Sequence, residues 1–449
     1  VPDIFYGMTD YNRERGNFPA TPVINMVVEA VPVENKPALQ SRLGLKNSAI
    51  TMGAGPVKAL FHNDGVLAGN TYGISNTSLY KEGTLVGAID GTGPARIDGY
   101  ESFLFATAGT RLWGYNGVTL ASVTTPDNFE VLSLCVGASR LVVIEKNSGR
   151  FWWTGALTAS IDAISFATAE NSPDRLKECM YVGDVLILFG SKTVEFWPVT
   201  QDGDSPFSPL AGRTFSVGIK DTGCATQISS TFAWITNYNQ VCIADPENIV
   251  SYPDLEAKIE AASTYRLWTF RLEGIEYLAV RLDNETHVFN SRSKNWSEFK
   301  SDGATNWLPQ CYADGYMGSM SSGTLIQWDT VYSDFGGVLE RLFRGGLAIE
   351  SEGQKLDNIT IRTNPGKTPF LSGPYADPTI ELRTSNDGGN TWTMPKARSL
   401  GVAGDFRPRV QWRSLGMFGP PGMLFELRVV DPVPFRVSNV VANEPYGSV

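Results

Sequence analysis

A short unit that recurs seven times between residues 57 and 330 constrains this chain more than any other feature. In each copy a turn leads into an apolar run, a polar turn follows, and a short apolar stretch rich in aromatics closes the unit. Asp64-Gly65 leads into Val66-Leu67-Ala68 and later Leu79-Tyr80, and Asp98-Gly99 into Phe103-Leu104-Phe105 and Leu112-Trp113. Gly137 precedes Leu141-Val142-Val143-Ile144 and Phe151-Trp152-Trp153. Gly183-Asp184 precedes Val185-Leu186-Ile187-Leu188 and Phe196-Trp197. The fifth copy has Ser229-Ser230 in place of Gly, before Phe232-Ala233-Trp234-Ile235 and Val241-Cys242-Ile243. Gly274 precedes Tyr277-Leu278-Ala279-Val280 and Val288-Phe289, and Asp314-Gly315 precedes Tyr316-Met317 and Leu325-Ile326-Gln327-Trp328. The copies start 34–46 residues apart.

Each copy is a hairpin that cannot bury its own faces. Stacking successive sheets around an axis solves this and leaves only short, protected edges, which defines a β-propeller. The continuous apolar strand of each copy reads as an inner strand covered on both faces, whereas a two-sheet sandwich would alternate more cleanly. The expected fold is all-β: a propeller of six or seven blades, then a smaller antiparallel β-sandwich-like domain. Composition agrees, because 45 Gly and 26 Pro in 449 residues exclude long helices but suit a turn at every hairpin. One short helix is expected, opened by Tyr252-Pro253-Asp254 and ending near Ser263, with Leu255, Ile259 and Ala262 as its inner stripe.

Residues 331–449 follow a different rule. Ile359/Ile361, Ile380/Leu382, Val410/Trp412 and Phe425/Leu427/Val429 alternate with Thr360/Arg362, Glu381/Arg383, Arg409/Gln411/Arg413 and Glu426/Arg428. That period of two marks half-buried antiparallel strands with a charged outer face, on which opposed Arg and Glu can pair. The domains expected are therefore an extended N-terminal segment over 1–56, the propeller over 57–330 and the β domain over 331–449. Packing of the N-terminal segment on that last domain is left open.

Charge and cysteines narrow the function. Thirty-seven Lys/Arg against 47 Asp/Glu give a net charge of −10, which argues against a surface that grips phosphates. Residues 331–449 hold 13 Lys/Arg and 12 Asp/Glu, so the acidity lies wholly in the first 330. Five widely spaced cysteines (Cys135, Cys179, Cys224, Cys242, Cys311) and two histidines suit neither a disulfide framework nor structural zinc. The reading is a soluble chain made in a reducing cytoplasm, with no signal-peptide pattern and no membrane span.

Ser385-Asn386-Asp387-Gly388-Gly389-Asn390-Thr391-Trp392 matches the Asp-box pattern S-x-D-x-G-x-T-W. Asp387 would accept turn hydrogen bonds, Gly388 and Gly389 permit positive φ, and Trp392 packs beneath the hairpin, with Ser385 and Thr391 completing it. A structural turn outweighs glycoside hydrolysis, because sialidases repeat the motif between blades and this chain has it once, outside the repeat. No short constellation picks out two carboxylates, or a Tyr with arginines, for glycoside chemistry. His62 lies at a turn and His287 is expected to face outward; no GxSxG elbow, Walker loop or dinucleotide fingerprint accompanies them. No catalytic, cofactor or metal residue is assigned. Arg407, Arg409 and Arg413 form the best basic stripe, read as an interface because no aromatics interleave with them.

Several stretches then resemble one family, the packaged-DNA stabilisation proteins that form the tail hub, or nozzle, of short-tailed bacteriophages. Val23-Ile24-Asn25-Met26-Val27-Val28-Glu29 and Ser41-Arg42-Leu43-Gly44-Leu45 are similar to its "VNMYxE … RPGL" opening, with Val27 for Tyr and Leu43 for Pro. Gly274-Ile275-Glu276-Tyr277-Leu278, His287-Val288-Phe289-Asn290 and Ser293-Lys294-Asn295-Trp296-Ser297-Glu298 follow its central block, with Ile275 for His. Leu382–Trp392, Ser399-Leu400-Gly401, Gly404-Asp405-Phe406-Arg407, 409–416 and 425–432 follow its C-terminal order.

The resemblance implies a non-enzymatic virion component assembled in the host cytoplasm as a ring of six below the portal and its adaptor. It also implies partners: tail fibres or tailspikes outside, a needle or plug, and packaged DNA that passes through without specific binding. The loops 364–378 and 416–424 are the expected contacts with neighbouring copies or the adaptor. The alternatives carried beside this reading are a propeller glycosidase acting on host surface polysaccharide and a non-catalytic adhesion propeller.

Overall fold

The computed structural model describes residues 4–6, 22–31, 36–169, 174–200, 202–348, 353–364, 366–406, 409–420 and 422–443. They divide into two compact units. One comprises 47–283 and 308–327; the other comprises 1–46, 284–307 and 328–449.

The first unit is a ring of sheets. Five consecutive four-stranded antiparallel sheets begin at Val57–Phe61, Arg96–Tyr100, Val131–Gly137, Leu176–Val182 and Ala225–Ile228. The hairpin Arg266–Leu272/Ile275–Arg281 holds the sixth position, and Pro309–Ala313 opens the seventh. These seven opening strands each lie beside the next, and Pro309–Ala313 lies beside Val57–Phe61, so the ring closes at seven blades. The seventh sheet gains its outermost strand from Gly44–Thr51, far earlier in the chain, beside Thr324–Asp329. A ring sealed by strands from both ends of its sequence exposes no sheet edge at the seam.

The apolar runs of the repeat build the walls between blades. Val142, Ile144, Phe151 and Trp153 of blade three meet Leu186, Leu188 and Trp197 of blade four in one buried cluster. There Phe151 and Trp197 make an edge-to-face contact at 5.0 Å, a geometry aromatic pairs favour. From blade two onward the first apolar run lies on the second strand of its blade, and the aromatic stretch on the third.

Two expectations for the repeat need correcting. Val66-Leu67-Ala68 is no strand: Leu67–Gly69 is a 3-10 turn with positive φ at Leu67 and Ala68, and the apolar strand of that blade is Tyr72–Ser75. Asp98-Gly99 is no turn but part of the innermost strand Arg96–Tyr100, where a neighbouring blade supplies a partner for the carboxylate. The expected helix is present as Pro253–Ala261 with Leu255 and Ile259 buried, but Ala262 is its C-cap and only half-buried. No described helix is long and apolar enough to cross a membrane.

The second unit contains a two-sheet sandwich. One sheet runs in the order Thr286–Asn290, Trp296–Phe299, Val23–Ile24, Arg341–Ala348, Gly422–Val429, Thr379–Ser385, Lys396–Ser399. The other runs Met26–Val31, Lys36–Ser41, Arg436–Ala442, Gln354–Thr363, Val410–Phe418. The alternating residues Ile359, Ile361, Ile380, Leu382, Val410, Trp412, Phe425, Leu427 and Val429 fill one core with Val23, Met26, Val28 and Leu39. Gly419–Gly422 carries the chain from one sheet to the other.

Candidate functional site

The Asp-box-like turn folds around one carboxylate. Asp387 Oδ1 accepts from the Ser385 hydroxyl (2.7 Å) and the Thr391 amide (2.9 Å), and Oδ2 accepts from the Thr391 hydroxyl (2.6 Å). Ser385 Oγ accepts the Gly389 amide, and Gly388 and Gly389 take positive φ. The Thr391 and Ser385 hydrogen bonds hold the Asp387 carboxyl down to about 2. The Ser385, Asp387 and Thr391 side chains are thus engaged inside the turn.

Trp392 links the turn to the neighbouring strands. Its indole Nε1 donates to the Gly389 carbonyl (3.0 Å), and its ring lies under the guanidinium carbons of Arg344 (4.9 Å) and Arg383 (5.0 Å). Both arginines also grip Glu426, which faces Arg383 and Arg344 in register from the strand between theirs. Glu426 was expected on the exposed charged face, yet it is 1% exposed, because two guanidiniums and an indole roof it over. Thr360, from the same expected face, is likewise buried and accepts a hydrogen bond from Gln411. Arg428, Glu340 and Glu381 continue the ladder beside a cleft of about 190 Å³.

Of the basic stripe, Arg407 lies outside the described residues. Arg409 and Arg413 are exposed, and Arg413 donates from Nε to Gln411 at 2.9 Å. Exposed apolar side chains occur in the same stretches of chain: Leu371 (87%) in the 364–378 loop, Met417 (68%) in the 416–424 segment, and Phe406 (65%).

His287 is a correction. It is wholly buried on Thr286–Asn290, not outward-facing, and its Nε2 lies 3.1 Å from Glu285 Oε2. His62 follows a strand at a turn, near Thr71, Asp64 and Asp314. All five cysteines are buried and free. Among the described residues no three His, Cys, Asp or Glu converge as metal ligands. A polar cleft of about 600 Å³ holds two carboxylates, Asp90 and Glu130. Asp90 is tied to Arg111 and the Trp113 indole, and Glu130 to Lys146.

Sequence reasoning missed the most elaborate polar site, although Asn25 and Arg42 stand in the two opening motifs. Arg42, fully buried, donates to both oxygens of Asp334, to Asn25 Oδ1 and to the carbonyls of Leu43 and Lys300. Two residues on, Gly44 passes so close to the 331–333 backbone that an added Cβ would lie 2.1 Å from the Val331 oxygen. The "Arg-x-Gly-Leu" spacing thus combines one buried charge, one close backbone approach and one buried apolar side chain, Leu45.

Fold and site together define a seven-bladed β-propeller protein with a β-sandwich module. The family model described as "Bacteriophage P22 Gp10, beta-propeller" matches residues 3–312, and "Bacteriophage P22 Gp10, beta-sandwich" matches 344–443. The chain belongs to this P22 Gp10 family of phage tail hub and DNA-stabilisation proteins, a family of virion structural components.

No curated protein matches the chain in sequence. Among solved structures it is similar to Chaetomium thermophilum Raptor (9% identity, TM-score 0.41), covering 65% of this chain and 29% of that one. It is also similar to BBS1N in its complex with ARL6DN (12%, 0.43), covering 64% and 97%. A third likeness is to the extracellular domain of the putative one component system BT4673 of B. thetaiotaomicron (10%, 0.44), covering 79% and 47%. With TM-scores below 0.5, nothing about this chain follows from these three.

Proposed function

We propose that the chain is a tail hub subunit. Copies form a ring of six below the portal and its adaptor, enclose the conduit that retains packaged DNA and later releases it, and carry tail fibres or spikes outside. The observation that carries this reading is the ordered match of both modules, propeller then sandwich, to the P22 Gp10 family. The role is structural and needs no catalysis. Assembly takes place in the host cytoplasm, and a needle or plug closes the conduit.

A closed ring requires one patch to bind a different patch on the neighbour. The exposed apolar side chains Leu371, Phe406 and Met417, with Arg409 and Arg413 between them in sequence, suit such a surface or the adaptor contact. In domain terms, residues 1–56 lead into a propeller over 57–330, and 331–449 form the interface-bearing β domain. The excess of acidic residues in the first 330 supports a conduit that repels phosphate, so that DNA slides past instead of sticking.

The test is mass in solution, measured on the full chain alone and after mixing with the portal–adaptor ring. Six copies of the 49.0 kDa chain are expected in at least one condition, as a species of about 294 kDa for the chain alone or as a gain of about 294 kDa on the portal–adaptor ring. A monomer under both conditions contradicts the ring. Turnover of host surface polysaccharide by the purified chain would establish the glycosidase reading instead.

A further inference from the structure

The axis of the propeller holds an unbalanced set of charges. A cleft of about 160 Å³ there is lined by residues of five innermost strands, among them Arg96, Arg266 and Cys311. Arg96 pairs with Glu178, whose second oxygen already accepts the amides of Gly223 (2.9 Å) and Ala225 (3.3 Å). Both oxygens of that carboxylate are therefore engaged, one by Arg96 and one by the two amides.

Arg266 spends Nη1 on the Lys58 carbonyl at 2.6 Å. Directly opposite it across the antiparallel pair stands Arg281. Like charges facing each other across strands destabilise a sheet. Arg281 donates from Nη1 to Gln310 Oε1 (2.6 Å), while its Nε is buried without a hydrogen-bond partner. Neither Arg266 nor Arg281 forms an ion pair among the described residues. Asp283 attracts Arg281 from a distance, its own oxygens accepting the amides of Ser263 and Thr264.

The nearby thiols offer no compensation. Burial pushes Cys224 up to about 12 and Cys311 up to about 11, so both stay neutral. Burial first, then repulsion from Arg266, lowers Arg96 to about 10 and Arg281 below its ordinary value. Of these three guanidiniums only that of Arg96 has a carboxylate partner, and a buried donor of Arg281 is unused.

We propose that the axial cleft binds a small oxyanion of the phosphate class, held by the lining guanidiniums of Arg266 and Arg96, with Arg281 adding its charge from directly opposite Arg266 on the adjoining strand. Planar guanidinium forks match phosphate oxygens, and a dianion would offset the Arg266–Arg281 repulsion. The volume admits a phosphate group and a few waters, not a nucleic-acid duplex. The proposal is independent of the tail reading, since it needs only the propeller.

The experiment is a titration of the full chain with sodium phosphate, and separately with a nucleoside monophosphate, at ionic strength fixed by sodium chloride. Tm and heat of binding are read. Phosphate should raise Tm saturably where chloride does not. Equal binding of the monophosphate would mean that the phosphate group is recognised wherever it is carried; phosphate alone would restrict the site to the free ion. Arg281→Met should weaken binding at least tenfold while leaving the phosphate-free Tm equal or higher, because it removes a repulsion. Arg281→Lys should retain most of the affinity. Absence of a saturable response to either ligand, or wild-type affinity in Arg281→Met, would overturn the site.

Discussion

Arg42 and Asp334, 292 residues apart, meet as a two-pronged ion pair, Nη1 to Oδ1 at 2.9 Å and Nη2 to Oδ2 at 2.6 Å, with neither side chain exposed. The remaining Arg42 donors reach Asn25, Leu43 and Lys300, so the whole fork is satisfied. Breaking one side of such a pair costs about 3–5 kcal/mol, because the survivor keeps its charge without a partner. Arg42→Met and Asp334→Leu should each lose that much in urea unfolding, and the double variant should lose less than the sum. Additive losses would show that the two side chains are not coupled.

Gly44 makes a steric prediction beside that electrostatic one. A Cβ there would sit 2.1–2.2 Å from the carbonyl oxygens of Val331 and Ser333, and backbone cannot swing aside as a side chain does. Gly44→Ala should therefore destabilise by more than about 1 kcal/mol, the opposite of the usual gain from replacing a flexible glycine. Unchanged or raised Tm would contradict the close approach.

Asp98 should give the propeller an inverted acid response. Burial raises its carboxyl to about 6, against the pull of amides from Val136 and Gly99. A raised carboxyl binds its proton more tightly in the fold than in the unfolded chain. Its contribution is therefore full below about pH 4 and lost as pH rises through 6, at most about 3 kcal/mol. Asp98→Asn should flatten this slope; the check is the difference in unfolding free energy between wild type and variant from pH 4 to 7.

Asp387 runs the other way. Its carboxyl is held down to about 2, so the turn's support is intact above about pH 4 and lost as pH falls toward 2. Carbon-detected NMR titration of the carboxyl should find its midpoint well below that of a free aspartate. Asp387→Ala should lower the sandwich's Tm without changing the propeller's blade packing.

The apolar and aromatic runs made the propeller legible because each had to be buried between blades, as Phe151 and Trp197 are. The innermost strands were not legible, since Arg96 and Asp98 look like turn or surface residues until Glu178 of blade four and Val136 of blade three face them. Blade number depended on Pro309–Ala313 closing against Val57–Phe61, and the seventh sheet's outer strand on Gly44–Thr51, pairings that no local pattern encodes. In the sandwich, period two placed Ile359, Ile361, Phe425 and Leu427 correctly. It misassigned Glu426, whose burial depends on Arg344 and Arg383 from two different strands.

The central claim is a position in a virion. Cryo-electron microscopy of assembled phage tails should find this chain as a ring directly below the portal and adaptor, each subunit showing seven blades around its own axis and a sandwich in contact with a neighbour. Density for the chain only in the head shell or only in peripheral fibres, with the ring below the adaptor built by another protein, would contradict it.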